Sequence, residues 1–100
     1  MANLYLIAER LQAGETVSFR PHGHSMTPHI RSGQLVTVRP VNDDEVMLKG
    51  MIVLAKVHGN MYLHFIRDVH KGRVLIGSAY NVNGWTSRDK VFGVLLKAGK

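Results

Sequence analysis

Leu4, Ile7, Ala8 and Leu11 recur at the i, i+3, i+4, i+7 spacing of one helical face, and Gly14 stands where a helix closes on a left-handed residue. This predicts a short amphipathic helix at the start of the chain. From Val17 onward the pattern changes to β-branched and apolar runs, and strands are expected over 17–20, 34–39, 51–57, 61–67, 73–76 and 90–96. Gly14, Gly33, Gly50, Gly59, Gly72 and Gly84 read as turn punctuation between them. His58, Gly59 and Asn60 separate two such runs, which predicts a β-hairpin, and Lys71 with Gly72 predicts a second turn. In the run 61–67, Met61, Leu63 and Phe65 alternate with Tyr62, His64 and Ile66, which puts the His64 imidazole on the face opposite Met61 and Leu63. Residues 41–49 form a polar, acidic connection and the best candidate for a mobile loop.

The chain has 100 residues, which fits one domain with a modest core. No uninterrupted apolar run is long enough to span a bilayer, so no membrane association is expected. The N-terminal residues lack the basic start and small-residue cleavage pattern of a secretory signal, which points to the cytoplasm. The absence of cysteine excludes disulfides, thiolate zinc sites and a cysteine nucleophile. A net charge of +6 raises an anionic partner such as nucleic acid, but the 13 Lys and Arg are scattered with no basic run, so a solvated basic surface is the simpler reading.

The run from Pro21 to Pro28, PHGHSMTP, carries the candidate chemistry. A serine hydroxyl is nearly inert at neutral pH and becomes a nucleophile only when a turn presents it and a base takes its proton. Ser25 is that candidate, and the base must come from elsewhere in the chain.

GHSMTP, then SGQLVTV from Ser32, KGMIVLAKV from Lys49 and MYLHFIR from Met61 follow one another in an order that resembles the boxes of the LexA and signal peptidase I superfamily of serine peptidases. GSAYN from Gly77 and the closing VFGVLL are similar to the last boxes, so the resemblance runs over residues 13–96. It implies a mainly β fold, a twisted, partly barrelled antiparallel sheet of about six strands with one short N-terminal helix. It further implies that Ser25 is the nucleophile and that His64 stands where the family places its general base, a lysine in most branches and a histidine in some. No lysine competes there, since Lys56 belongs to the preceding strand and Lys71 to the following turn. The exchange is chemically sound: a lysine must be buried to lose its proton near pH 7, whereas histidine, with an ordinary pKa of about 6.5, is already largely neutral. The resemblance assigns Gly23, His24 and Met26 to the oxyanion and substrate cleft and implies a peptide or protein substrate, with no cofactor. The Ser25 N–H is the expected oxyanion donor, because Gly23 lacks the hydroxyl that many signal peptidases carry at that position. Asp89 is the preferred third member and Asp68 its competitor, although SAYN departs from the family's aspartate-containing box. Phe65 replaces the family's usual Arg after the base, and Gln34 and Met51 replace acidic residues.

Three other signals are set aside. His22, His24 and His29 are read as loop histidines rather than metal ligands, because no acidic residue lies near them in sequence. Ala13-Gly14 is similar to the self-cleavage bond of LexA-like repressors, yet too few residues separate it from Ser25 for it to fold back. Trp85 and the tyrosines are assigned to packing. The chain thus resembles a bare catalytic-type domain, a small phage or bacterial peptidase. Two other readings stand beside it, a catalytically silent interaction module forming a homodimer and a basic nucleic-acid-associated regulator.

Overall fold

The computed structural model describes residues 2–99. Helix α1 (Leu4–Gln12) begins at Asn3, whose side chain accepts hydrogen bonds from the Tyr5 and Leu6 amides, and buries Ile7, Ala8 and Leu11 as the spacing predicts. It closes in a Schellman motif: the Gly14 amide donates to the Leu11 carbonyl and the Glu15 amide to that of Arg10, with Gly14 at φ +92°.

Among the described residues seven strands follow: β1 (Val17–Phe19), β2 (Val36–Pro40), β3 (Ile52–Val57), β4 (Asn60–His70), β5 (Arg73–Gly77), β6 (Val82–Ser87) and β7 (Val91–Ala98). They form one antiparallel sheet in the order β1-β2-β7-β3-β4-β5-β6, so the fold is mainly β as expected. The hairpins β3–β4 and β4–β5 turn on two-residue loops, His58-Gly59 and Lys71-Gly72, in which all four φ angles are positive, the signature that matches strand twist.

The sheet does not close, but it curls. β6 comes back over the β3–β4 turn, where the Thr86 hydroxyl donates to the Lys56 carbonyl at 2.8 Å and Gly84 lies so close to His58 and Val57 that a Cβ there would meet the ring at 3.0 Å. Gly84 therefore belongs to a strand, not to a turn, and β6 is an element the sequence pattern did not predict. Both faces of the central strands are covered. On one, α1 packs with Leu54, Leu63, Val36 and Val38; on the other, Val53, Ala55, Ile66, Ile76 and Val94 fill the curl. Each fully buried aliphatic side chain of this kind contributes about 1.5–3 kcal/mol. No helix among the described residues is long and apolar enough to cross a membrane.

The connection between β2 and β3 is strapped down rather than loose. Arg39 grips Glu45 through two hydrogen bonds of 2.9 and 2.6 Å, the Arg88 guanidinium donates to the carbonyls of Asn42 and Glu45, and Met47 is buried. The Arg39 hydrogen bond holds the Glu45 carboxyl below its ordinary range.

Gly93 in β7 lies tight against both α1 and β2. A Cβ there would lie 2.5 Å from Val38 Cγ1, 2.8 Å from Leu11 Cδ1 and 3.0 Å from the Arg39 carbonyl. Gly93→Ala is expected to destabilise the protein by about 1–3 kcal/mol, read as a lower urea midpoint with an unchanged slope.

Candidate active site

The loop between β1 and β2 carries the serine, and hydrogen bonds among its own residues tie its base together. The Arg20 guanidinium donates to the Gly33 carbonyl at 2.9 Å, the Gly33 amide to the Pro21 carbonyl at 2.7 Å and the Gly23 amide to Ser32 Oγ at 3.0 Å. Gly23 sits at φ +116°, a backbone shape that side chains rarely tolerate, and this turns the chain so that Ser25 faces outward. Met26 and Ile30 then point inward, 5% and 4% exposed, and pin the turn to the core beside Leu63. The segment before β6 holds it from the other side: the Ala79 amide donates to the Ser25 carbonyl at 3.0 Å and the Tyr80 hydroxyl to the Thr27 carbonyl at 2.9 Å.

β4 delivers the imidazole. His64 is 8% exposed, stacks on Tyr62 with ring centroids 5.1 Å apart at 27°, and places Nε2 3.0 Å from Ser25 Oγ. The two residues are thus brought together across 39 positions of sequence.

The other ring nitrogen meets a residue that the sequence did not single out. Nδ1 lies 2.6 Å from the side-chain oxygen of Asn83 in β6. The register explains how Asn83 gets there: Gly77 pairs with Val82 and Ile76 with Gly84, which leaves Asn83 as the extra residue of a β-bulge. Such a bulge re-aims one side chain, and here the curl of the sheet carries it to His64. Asp89 is corrected accordingly. It lies beyond β6 in a single 3-10 turn, Arg88–Lys90, exposed, with the Ser87 hydroxyl donating to its carboxylate, and both ring nitrogens of His64 are already engaged elsewhere. Asp68 is likewise no partner of the imidazole; its carboxylate accepts from the Val69 amide at 2.8 Å.

These contacts assign the protonation state of the site. An amide oxygen can only accept, so Nδ1 carries the proton and donates to Asn83, leaving the Nε2 lone pair to accept from the Ser25 hydroxyl. Burial pushes the His64 pKa below its ordinary value, more than the Asn83 hydrogen bond raises it, which keeps the ring neutral and ready to accept at pH 7. A neutral asparagine orients the ring without the charge with which a carboxylate stabilises the imidazolium.

Ser25 and His64 border a cleft of about 120 Å³, with Pro21, His22 and Gly23 on one wall and Met61, Tyr62 and Leu63 on the other. Of the remaining sequence candidates, Gly23 and Met26 border the cleft, Met26 also anchoring the turn, whereas His24 is exposed and does not line it. The Gly23 amide is already engaged by Ser32, whereas the Ser25 amide makes no hydrogen bond among the described residues. His29 packs edge-on to Phe65, centroids 5.1 Å apart. No family model matches this chain, and no curated protein matches it either.

Proposed function

We propose that this domain is a serine hydrolase of the peptidase type, built like the LexA and signal peptidase domains its sequence resembles, with Ser25 as nucleophile, His64 as general base and Asn83 in place of the usual carboxylate. The observation that carries the reading is the continuous chain from Ser25 Oγ through the imidazole to Asn83, at 3.0 and 2.6 Å. In the first step the Ser25 proton passes to Nε2 while Oγ bonds to the substrate carbonyl carbon. The Ser25 amide is the donor within the turn for the oxyanion. The C–N bond then breaks as Nε2 returns the proton to the leaving amine. A water, deprotonated by the same nitrogen, releases the acyl group and restores the hydroxyl.

The substrate is an extended peptide. The ladder between β4 and β5 begins only at Phe65 opposite Gly77, so Met61 to His64 pair with β3 alone and leave their second edge toward the cleft. A peptide laid in that cleft gains main-chain hydrogen bonds as an added strand and brings a carbonyl to Ser25.

Digestion of an unstructured protein mixture, with new N-termini mapped by mass spectrometry, tests the reading. The wild type is expected to generate new termini that Ser25→Ala does not. Identical termini from both proteins would assign the cleavage to a contaminant, and no cleavage on a folded sample would favour the silent interaction module.

A further inference from the structure

The walls of the site carry charge of one sign only, and we propose that the substrate is an acidic peptide with carboxylates on both sides of the bond to be cut. The reaction in this inference rests on the peptidase reading above; the binding preference does not.

Two grooves flank the cleft at Ser25. On the side of the loop base, Arg20 and Arg31 line a ledge with Ser32 and Gln34. On the far side of His64, Lys49 and Arg67 line a groove floored by Phe65 and Ala79. Arg31 reaches into the cleft as well. None of the seven Asp and Glu residues borders any of the three depressions.

Two of the seven acidic side chains are held in ion pairs elsewhere, and the other five line none of these walls. Glu15 pairs with Arg10 and Glu45 with Arg39, and among the described residues these are the ion pairs, so Arg20, Arg31, Lys49 and Arg67 face the grooves without a carboxylate partner. Arg67 is the best placed of the four. It is half-buried, and its Nη1 donates to the Ser78 carbonyl at 2.9 Å, which fixes the guanidinium against the groove with its other donors free. A partly buried, fixed guanidinium loses less to solvent screening and to side-chain entropy than a free surface lysine does.

Arg67 lies three residues beyond His64 on β4, past the point where β5 takes the strand edge at Phe65, and it is the residue left unpaired where the β4–β5 register shifts, so it meets substrate residues that have left the free edge of Met61–His64. The two cationic walls stand apart, separated by the hydroxyl–imidazole pair and by the apolar Met26, Ile30 and Leu63 that border the cleft. Two separated charges with an apolar centre fit peptide side chains better than the evenly spaced phosphates of a nucleic acid.

Fluorescence anisotropy on the Ser25→Ala protein tests this without turnover. The probes are a labelled decapeptide with Glu on each side of a small central residue, the same peptide with Gln for every Glu, and a single-stranded DNA of equal charge. The acidic peptide is expected to bind about tenfold or more tightly than its Gln counterpart at low salt, with the gap shrinking as salt rises. Lys49→Gln and Arg67→Gln, each added to Ser25→Ala, are expected to cut that preference about threefold or more; Lys49 is exposed, so its variant remains informative if loss of Arg67 unsettles the fold. Equal affinity for the two peptides, tighter binding of DNA, or no binding to any probe overturns the proposal. Wild-type hydrolysis of both peptides with equal kcat/KM defeats it while leaving the peptidase reading intact, and acidic-selective binding without any turnover does the reverse.

Discussion

Exchange of His64 for alanine is expected to lower kcat/KM for peptide hydrolysis by at least about 10⁴-fold, and Ser25→Ala by as much. The double variant should be no worse than either single one. Nucleophile and base act as one unit, because the hydroxyl at 3.0 Å from Nε2 is useless as a nucleophile without a group to take its proton. Ser25→Ala serves as the clean control. Its side chain lies at an exposed position, and the turn is held by the buried Met26 and Ile30 and by backbone bonds donated by the Ala79 and Gly33 amides, none of which needs the hydroxyl. Its unfolding free energy is expected to stay within about 0.5 kcal/mol of the wild type, so lost activity reads as lost chemistry.

The second large effect belongs to Asn83. Asn83→Ala removes the acceptor that fixes both the ring orientation and its tautomer, and a fall of about 10- to 100-fold in kcat/KM is expected, less than for the dyad because hydroxyl, base and backbone donor all remain. Asn83→Asp does something different. A carboxylate at the same 2.6 Å favours the imidazolium, so the His64 pKa rises and the acid limb of the pH–rate profile moves to higher pH. The same linkage appears in stability. In the wild type the folded His64 has a lowered pKa, so the unfolded chain binds its proton first as pH falls; the stability His64 confers is full above the ordinary histidine range and is lost as pH drops through that range toward the folded value. In Asn83→Asp the raised pKa shrinks or reverses that loss. Imidazole titration by NMR and thermal unfolding against pH read the two shifts independently, and an unmoved His64 pKa in the aspartate variant would deny Asn83 its place at Nδ1.

Local signals in the chain foretell most of this architecture. The helical stripe at Leu4, Ile7 and Leu11, the Gly14 stop and the His58-Gly59 and Lys71-Gly72 turns act over a few residues, so their physics is complete within the sequence window that displays them. The pairing of Ser25 with His64 is not local, and it was the ordered resemblance to known peptidase boxes that pointed to it. β6 is where pattern reading stops. Val-Asn-Gly-Trp-Thr-Ser mixes polar residues with a glycine and shows no clean alternation, because it is an edge strand whose Gly84 is required by the close approach of His58. With the strand unseen, its bulge was unseen too, and Asn83 offered no chemical signal in a run that reads as a turn.

Asp89 failed as the third member for a related reason. Preference for it over Asp68 rests on the resemblance, whose histidine branch uses a late aspartate, but the chain leaves β6 in a 3-10 turn that points that side chain to solvent. An asparagine can do the orienting part of the task. What it cannot supply is charge: burial lowers the His64 pKa, and the Asn83 hydrogen bond offsets only part of that lowering.

A serine-directed fluorophosphonate, read by intact-protein mass spectrometry with the adduct mapped to its residue, tests the central claim most directly. The account predicts one adduct per wild-type chain, located on Ser25, formed faster as pH rises through the His64 transition and abolished in His64→Ala. A folded wild-type protein that stays unmodified, or labelling of Ser25 that proceeds equally well without His64, would contradict it.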